Sequence, residues 1–341
     1  MKALRVKNVY FVESPLQLMS ALEAVTFFKD ETIIYYKLSS AQSKSDFQMI
    51  DIIKKSGLNC FSEMNNRSRS IWHISCLKLL IMFLLFAKSE RVFIGDFRNF
   101  WFNILAGSIR SKEVVLLDDG ASTIYLQYKF FSKGKGFRTF IRNKKAKGIK
   151  RNVNYIFSLM FNDKVPNLFS FFNFDGWLFD KQIDYCKVRK TLKKGERVRG
   201  VYFLGSKLSE AKILNFNQEL KFILFTKNYM EALYPEHVYV YVPHRSDSEE
   251  KLIKIHEEGI RIKKIDVPIE IYFDSAECLP SIVCGFYTTA LYTLNSGYCF
   301  ESVISFDVSK NIACNKNIDS IRAVYSYYKS NGILVVPIKD F

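Results

Sequence analysis

The sequence predicts an α/β protein built from two doubly wound, Rossmann-like domains. Short apolar runs of strand length alternate with longer runs of helical length in both halves of the chain. A less regular stretch, residues 129–199, separates the two alternating patterns. The 341 residues also exceed the usual size of one domain. We therefore expect an N-terminal domain over residues 1–190 and a C-terminal domain over residues 200–341, with the last helix a candidate to pack back on the N-terminal domain.

The N-terminal half begins with a buried strand at Asn8–Val12, followed by a helix. Ser14 suits the N-cap, Pro15 the first helical position, and Gln17 a reciprocal cap. Further strands are predicted at 32–36, 91–95 and 113–117, with helices at 43–56, 71–87 and 97–107. This alternation predicts a parallel sheet.

The C-terminal half repeats the pattern. Strands are predicted at 200–205, 237–242, 260–265, 281–284 and 303–306, with helices at 217–233, 249–258 and 288–295. Two such domains facing a central cleft form the architecture called GT-B in nucleotide-sugar transferases, and dehydrogenases share the coarse pattern.

Two adjacent carboxylates, Asp118 and Asp119, follow the apolar run at 113–117 and precede Gly120. Ligands of α/β sheets bind at the carboxyl ends of the strands, where a carboxylate can take a proton from a substrate hydroxyl. Asp-Asp-Gly is also an ordinary turn signal, so both interpretations stand on this motif alone.

Two motifs in the second half suit a phosphate group. His244, preceded by Pro243, follows a predicted strand, and an imidazole can bind or protonate a phosphate near neutral pH. Thr288 and Thr289 open a predicted helix, whose free N–H groups favour an anion. A loop histidine and an N-cap threonine are the plainer interpretations. Gly205 forms a single turn after a strand, and no glycine-rich dinucleotide or P-loop motif occurs.

The charge predicts anionic partners. Fifty Lys and Arg against 34 Asp and Glu give a net charge of +16. The segment from Lys129 to Arg151 is strongly basic and contains no acid, which fits either a solvated surface or binding to an anionic membrane or polymer. Nucleic acid is not favoured, because no recognised nucleic-acid-binding motif accompanies the charge.

Cysteine and hydropathy patterns indicate a cytoplasmic protein. The seven cysteines are scattered without a Cys-x-x-Cys pair, the N-terminus does not read as a signal peptide, and no metal-ligand motif is present. The apolar stretch 77–87 is too short to span a bilayer and predicts a buried or interfacial helix.

With these residues taken together, the chain resembles bacterial sialyltransferases, in particular the lipooligosaccharide sialyltransferases of glycosyltransferase family 52 and the related capsular polysialyltransferases. The shared order is the strand leading into Ser14-Pro15-Leu16-Gln17, the Asp118-Asp119-Gly120 motif, the Pro243-His244 motif and the Thr288-Thr289 pair. Family members usually carry His-Pro and Ser-Ser at the last two motifs.

The resemblance implies an inverting, metal-independent GT-B enzyme that needs no cofactor. It would transfer sialic acid from CMP-sialic acid to a hydroxyl of a cell-surface glycan, such as lipooligosaccharide, O-antigen or capsule. Asp118, preferred over Asp119, would be the base, and His244 would stabilise or protonate the CMP phosphate. The implied donor-binding residues are Gly205, Pro243, Glu270, Thr288 and Thr289, and the implied acceptor-binding residues are Ser14 and Gln17.

Two other functions remain open at this point. One is a GT-B transferase with another nucleotide-sugar donor, because the motifs recognise phosphate more surely than cytosine. The other is a noncatalytic basic adaptor for an anionic polymer or membrane. As an enzyme, the protein would work in the cytoplasm, either free or peripherally bound to the inner face of the bacterial inner membrane.

Overall fold

The protein, described by a computed structural model, folds into two compact units, Met1–Val188 and Arg189–Phe341. The structure describes residues 6–39, 43–64, 68–129, 166–174, 182–184, 195–312 and 318–338. Each unit contains one parallel sheet with intervening helices, so the predicted α/β class with two doubly wound sheets is confirmed. Of the basic segment, only Lys129 is described; residues 130–151 lie outside the described part of the chain.

The sheet of the first unit has the strand order β3-β2-β1-β4-β5-β6-β7, with every described pair parallel. Its strands are Asn8–Val12 (β1), Thr32–Tyr36 (β2), Phe61–Glu63 (β3), Lys88–Ile94 (β4), Arg110–Leu117 (β5), Asn167–Ser170 (β6) and Gln182–Asp184 (β7). Its described helices are Pro15–Phe28 (α1), Lys44–Ser56 (α2), Arg69–Phe86 (α3), Phe100–Ser108 (α4) and Ala121–Lys129 (α5). The order reverses between β1 and β4, which makes that junction the topological switch point.

The sheet of the second unit has the order β10-β9-β8-β11-β12-β13, again all parallel, with its switch point between β8 and β11. Its strands are Glu196–Leu204 (β8), Val238–Val242 (β9), Arg261–Ile262 (β10), Cys278–Gly285 (β11), Ser302–Asp307 (β12) and Leu334–Pro337 (β13). Its described helices are Phe216–Leu233 (α6), Glu249–Glu257 (α7), Ile269–Ser275 (α8), Ala290–Gly297 (α9) and Ile318–Ser330 (α10).

The central strands are continuous apolar runs because helices cover both faces of a doubly wound sheet. All five residues of β1 are buried. In the second unit, Phe203 on β8 lies in the middle of a core that extends to Ile321 and Tyr325 of α10. The last described helix therefore packs on its own sheet, against β12 and β13.

Several local expectations are corrected. The helix predicted to open at Thr288 begins at Ala290, and the strand predicted over 260–265 is only Arg261–Ile262. Gln17 does not cap reciprocally: Ser14 Oγ accepts the Gln17 N–H at 3.3 Å, but the Gln17 side chain accepts the N–H of Glu13, outside the cap. The amide nitrogen of Gln17 instead donates to Asp119, which follows β5.

Among the described helices, none combines the length and apolar character needed to cross a membrane.

Candidate active site

Each unit brings its chemically active side chains to the carboxyl ends of strands at or beside its switch point. In the first unit, Phe11 of β1 pairs with Ile94 of β4, and Ile94 pairs with Leu116 of β5. In the second unit, Leu204 of β8 is in register with both Val242 and Gly285. The residues that follow these positions form two separate candidate sites, one acidic and one cationic.

Asp118, directly after β5, is fully buried and holds two strands together. Its Oδ1 accepts the Ser170 hydroxyl at 2.5 Å, and its Oδ2 accepts the Phe171 N–H at 2.9 Å. Both partners lie at the end of β6, the neighbouring strand. Asp118 therefore fixes the β5 and β6 ends against each other.

Asp119 lies beside Asp118 but points to a different environment. Its Oδ1 accepts a hydrogen bond from Gln17 Nε2 at 2.8 Å, and its Oδ2 lies 2.6 Å from an Arg98 nitrogen. Its side chain is 11% exposed, unlike that of Asp118. Burial raises the pKa of Asp119 to about 6, although the Arg98 charge opposes the rise. A carboxyl with this pKa is a better proton acceptor than an ordinary aspartate and is still ionised at neutral pH.

These contacts bear on which of the two carboxylates is the candidate base. Both oxygens of each carboxylate have partners, but Asp118 has no exposed surface, whereas the Asp119 side chain is 11% exposed. Asp119 also has the raised pKa. The contacts therefore favour Asp119 over Asp118, and the assignment of the base stays a prediction.

The two residues expected to bind an acceptor have different roles in the structure. Ser14 caps α1 through its hydroxyl. Gln17 reaches Asp119, and this requires Gly95 at the end of β4, because a Cβ there would lie 2.5 Å from Gln17 Oε1. Gln17 thus orients the candidate base, and acceptor binding by Ser14 and Gln17 stays a prediction.

His244 follows β9 and is held as a neutral ring. Its backbone N–H donates to Asp247 Oδ2 at 2.9 Å, and its Nδ1 accepts the Ser246 N–H at 3.1 Å. Because Nδ1 accepts, the proton of the neutral imidazole is on Nε2, which can donate to a ligand. Burial lowers the pKa of His244 to about 4, and the charges of Arg245 and Lys207 act in the same direction. The Nε2–H group of His244 is therefore a neutral hydrogen-bond donor close to the positive charges of Arg245 and Lys207.

The His244 loop rests on a buried ionic cluster. Lys251 Nζ contacts Glu219 Oε1 at 2.5 Å, Asp247 Oδ1 at 3.0 Å and the Ser206 carbonyl at 2.9 Å. Burial disfavours the Lys251 charge, but Asp247 and Glu219 outweigh burial and keep its pKa raised. The cluster connects α6 and α7 to the turn after β8 and fixes the backbone at His244 through Asp247.

Gly205 has a structural reason for being glycine. A Cβ at this position would lie 2.6 Å from Tyr241 Oη and 2.8 Å from the His244 backbone nitrogen. The backbone of β8 therefore passes directly beneath the His244 loop. Pro243, which is partly buried, lies between β9 and His244 in the same loop.

The threonine pair lies after β11 but does not cap α9 through its side chains. Thr289 is the N-cap residue and has a helical backbone without a side-chain cap bond, whereas the Thr288 carbonyl accepts the Tyr328 hydroxyl at 2.6 Å. The plainer interpretation of Thr289 as a side-chain N-cap is therefore wrong. Glu270 lies in the first turn of α8, where its Oε1 accepts the Thr293 hydroxyl at 2.7 Å.

Sequence reasoning missed Arg98, Asp247, Lys251 and Glu219. Asp247, just before the N-cap of α7, and Lys251 are four residues apart, a spacing that signals an ion pair, but burial is what makes this pair important. The contact of Arg98 with Asp119 carries no sequence signal, because the two residues are 21 positions apart. No group of three or more metal-ligating side chains occurs within the part of the chain that the structure describes.

Comparisons with known proteins found similar solved structures but no similar sequence. No protein-family model matches the chain, and no curated protein sequence does. The α/β-galactoside α-2,3-sialyltransferase of Photobacterium phosphoreum is similar in structure with 12% identity, a TM-score of 0.49, and coverage of 96% of this chain and 98% of that one. A Photobacterium 2,6-sialyltransferase, solved with CMP and lactose, has 10% identity, a TM-score of 0.48, and coverage of 96% and 78%.

The UDP-GlcNAc 2-epimerase of Methanocaldococcus jannaschii has 10% identity and a TM-score of 0.47, with coverage of 96% of this chain and 92% of that one. These TM-scores leave the chemistry to be decided by the residues of the two sites.

Proposed function

We propose that this protein is an inverting, metal-independent GT-B sialyltransferase that moves sialic acid from CMP-sialic acid to a hydroxyl of a cell-surface glycan. The observation that carries the proposal is the pairing of two opposite sites in one chain: a carboxylate with a raised pKa in the first unit, and a neutral histidine donor among cations in the second. A glycosyl transfer needs a base for the acceptor and stabilisation of a phosphate leaving group.

In the proposed reaction, Asp119 takes the proton of the acceptor hydroxyl. The hydroxyl oxygen of the acceptor forms a bond to the anomeric carbon of sialic acid at the same time. The bond between that carbon and the CMP phosphate oxygen breaks, and CMP leaves with the bonding electron pair. His244 Nε2–H donates a hydrogen bond to the phosphate, whose negative charge grows in the transition state. One displacement of this kind inverts the anomeric configuration.

The donor site has the elements that an anionic nucleotide requires. The charges of Arg245 and Lys207 act on His244 electrostatically. Gly205 lets the backbone after β8 lie close to the His244 loop. The hydroxyls of Thr288 and Thr289 lie before α9, whose N-terminus adds backbone donors. We assign Glu270, at the start of α8, to the ribose hydroxyls.

The choice of CMP-sialic acid over other donors rests on the order of motifs, from Asp118-Asp119-Gly120 through Pro243-His244 to Thr288-Thr289. The two sites by themselves favour a phosphate-bearing donor of any base. The acceptor class, a lipooligosaccharide, O-antigen or capsule glycan, rests on the same resemblance.

Calorimetric titration tests the donor directly. We expect CMP to bind more tightly than UDP or GDP, and His244→Ala to weaken CMP binding. Tighter binding of UDP or GDP would reject the sialyltransferase assignment and favour another nucleotide-sugar transferase.

Incubation with CMP-sialic acid and a panel of terminal galactosides and sialosides, followed by mass spectrometry, tests transfer and identifies the acceptor. Activity should persist with a chelator, because the proposed phosphate contacts are side-chain and backbone donors. Loss of activity that only a divalent metal restores would refute the metal-independent mechanism.

We further propose that the segment from Lys129 to Arg151 recruits the enzyme to the cytoplasmic face of an anionic membrane. Neutralising the basic residues of this segment would weaken membrane binding, and the effect would be largest at low salt.

A further inference from the structure

Helix α3 is apolar on both of its faces. One face packs on the sheet, where Trp72, Cys76 and Phe83 are buried and the Phe83 ring lies 5.6 Å from that of Tyr35. The opposite face carries large aliphatic side chains that are between 38% and 63% exposed: Ile71, Ile74, Leu77, Ile81, Leu84 and Leu85. An ordinary surface helix has polar or charged residues on that side.

The exposed side chains form a continuous stripe. They recur three or four residues apart, so they share one face of the helix over about 20 Å of its length. Helix α7 in the second unit shows the usual alternative. There, the exposed Ile253 stands beside Glu250 and Lys254, both of which are also exposed. A contiguous apolar stripe of this size indicates an interaction surface rather than scattered exposure.

In the sequence, the charged residues between Glu63 and Glu90, a range that includes α3, are all of one sign. Residues 64–89 contain Arg67, Arg69, Lys78 and Lys88 but no Asp or Glu. Lys78 and Lys88 are exposed. If the same face of a second copy covered the stripe, these cations would face each other and repel. Anionic lipid headgroups would complement them, and the lipid chains would receive the aliphatic side chains.

We propose that the outer face of α3 docks this protein on an anionic lipid bilayer. The helix lies in the plane of the interface, with Ile74, Ile81 and Leu85 below the headgroups and Lys78 and Lys88 at the level of the phosphates. This surface belongs to the first unit and is independent of the transfer reaction. It is also distinct from the basic segment that begins at Lys129.

Vesicle flotation of the full chain tests the proposal. The probe is a vesicle of phosphatidylcholine with phosphatidylglycerol, compared with phosphatidylcholine alone. We expect Ile81→Glu to reduce partitioning into the anionic vesicles by about tenfold or more, because it removes an aliphatic group that would enter the bilayer and adds a repelled charge. The matched control is Ile253→Glu, since Ile81 is 59% exposed and Ile253 57% exposed. This control should leave partitioning unchanged.

A Leu85→Cys variant carrying an environment-sensitive fluorophore gives a second measurement that does not depend on an added charge. Its emission should shift to the blue on addition of anionic vesicles and keep most of that shift at high salt. Equal partitioning of Ile81→Glu and wild type, or unchanged emission, would overturn the proposal. A wild-type dimer in analytical ultracentrifugation that Ile81→Glu dissociates would identify a second copy as the occupant and would also overturn it.

Discussion

The two switch-point sites carry opposite charges, and burial disfavours the charged form of the key group in each. In the first unit burial raises the pKa of Asp119 to about 6, and in the second it lowers the pKa of His244 to about 4. In both groups, therefore, burial favours the neutral form over the charged form in the absence of a substrate. Asp119 gains from accepting a proton, and His244 has a neutral donor ready for an anion.

The supports of the two sites also differ. Asp119 is oriented by side chains from other elements of its unit, Gln17 and Arg98. His244 is held through its backbone by Asp247, which belongs to a buried cluster with Lys251. In the acidic site, side chains bond the reacting carboxylate itself, whereas in the cationic site the buried cluster fixes the backbone of the histidine loop.

The largest expected effect separates the two members of the acidic pair. Asp119→Asn should lose on the order of 10²–10⁴ in turnover, because the acceptor proton has no base, while CMP binding persists. The matched variant Asp118→Asn should keep most of its turnover but unfold more easily, by on the order of 1–3 kcal/mol, since it leaves the Ser170 or Phe171 donor unsatisfied. Steady-state kinetics, calorimetry and thermal melts measure the three quantities. Near-normal turnover of Asp119→Asn, with loss in Asp118→Asn, would restore Asp118 as the base.

The cationic site should respond differently to mutation. His244→Ala should weaken CMP binding and slow transfer together, each by about 10–100-fold, because the same Nε2–H contacts the phosphate in the bound donor and in the leaving group. His256→Ala, an exposed histidine on α7, is the control and should change neither. A His244→Ala enzyme that binds CMP normally would show that the phosphate is held elsewhere.

The pH dependence sharpens the assignment of the base. Because the pKa of Asp119 is raised to about 6, kcat/KM should fall about tenfold per pH unit below that value and level off above it. Arg98 lowers the pKa of Asp119, so Arg98→Met should move this acid limb to higher pH. A limb that does not move with Arg98 belongs to another group.

The smallest expected effect is on stability and has a defined sign. The folded protein binds the Asp119 proton more tightly than the unfolded chain, whose carboxyl has a pKa of about 3.9. Ionisation between about pH 4 and 6 therefore costs folding free energy, on the order of 1–3 kcal/mol at neutral pH. Relative to wild type, Asp119→Asn should gain thermal stability as the pH rises through this window. A stability difference that is constant with pH would contradict the raised pKa.

Much of the fold could be predicted from the sequence, because long apolar runs and caps are local signals. The strand Asn8–Val12 and the Ser14 N-cap are found where they were expected. The strands β3 and β7, which the sequence did not reveal, have only three residues each, too few for a periodic pattern to be recognised. The sequence predicts that α9 starts at Thr288, two residues before its actual start at Ala290. Thr289, the N-cap residue, has a helical backbone and makes no side-chain cap bond.

The positions of the candidate sites could be predicted, but the roles within them could not. Asp118 and Asp119 are equivalent in sequence, and only their contacts with Ser170 and Gln17 distinguish a buried connector from a base. Those contacts join residues 52 and 102 positions apart. Likewise, nothing local reveals that Lys251 is buried beneath His244.

The Asp118 connection has a consequence for how this chain can change in evolution. It joins the end of β5 to the end of β6, and the register of Leu117 with Phe169 reinforces that junction. The segment between Asp118 and Ser170 thus begins and ends at two residues that are bonded to each other. Insertions, deletions or exchanges in that excursion would leave Asp119 in place. Under the proposed function, a new acceptor specificity would need only the replacement of that one continuous segment, while the candidate base beside it stays in place.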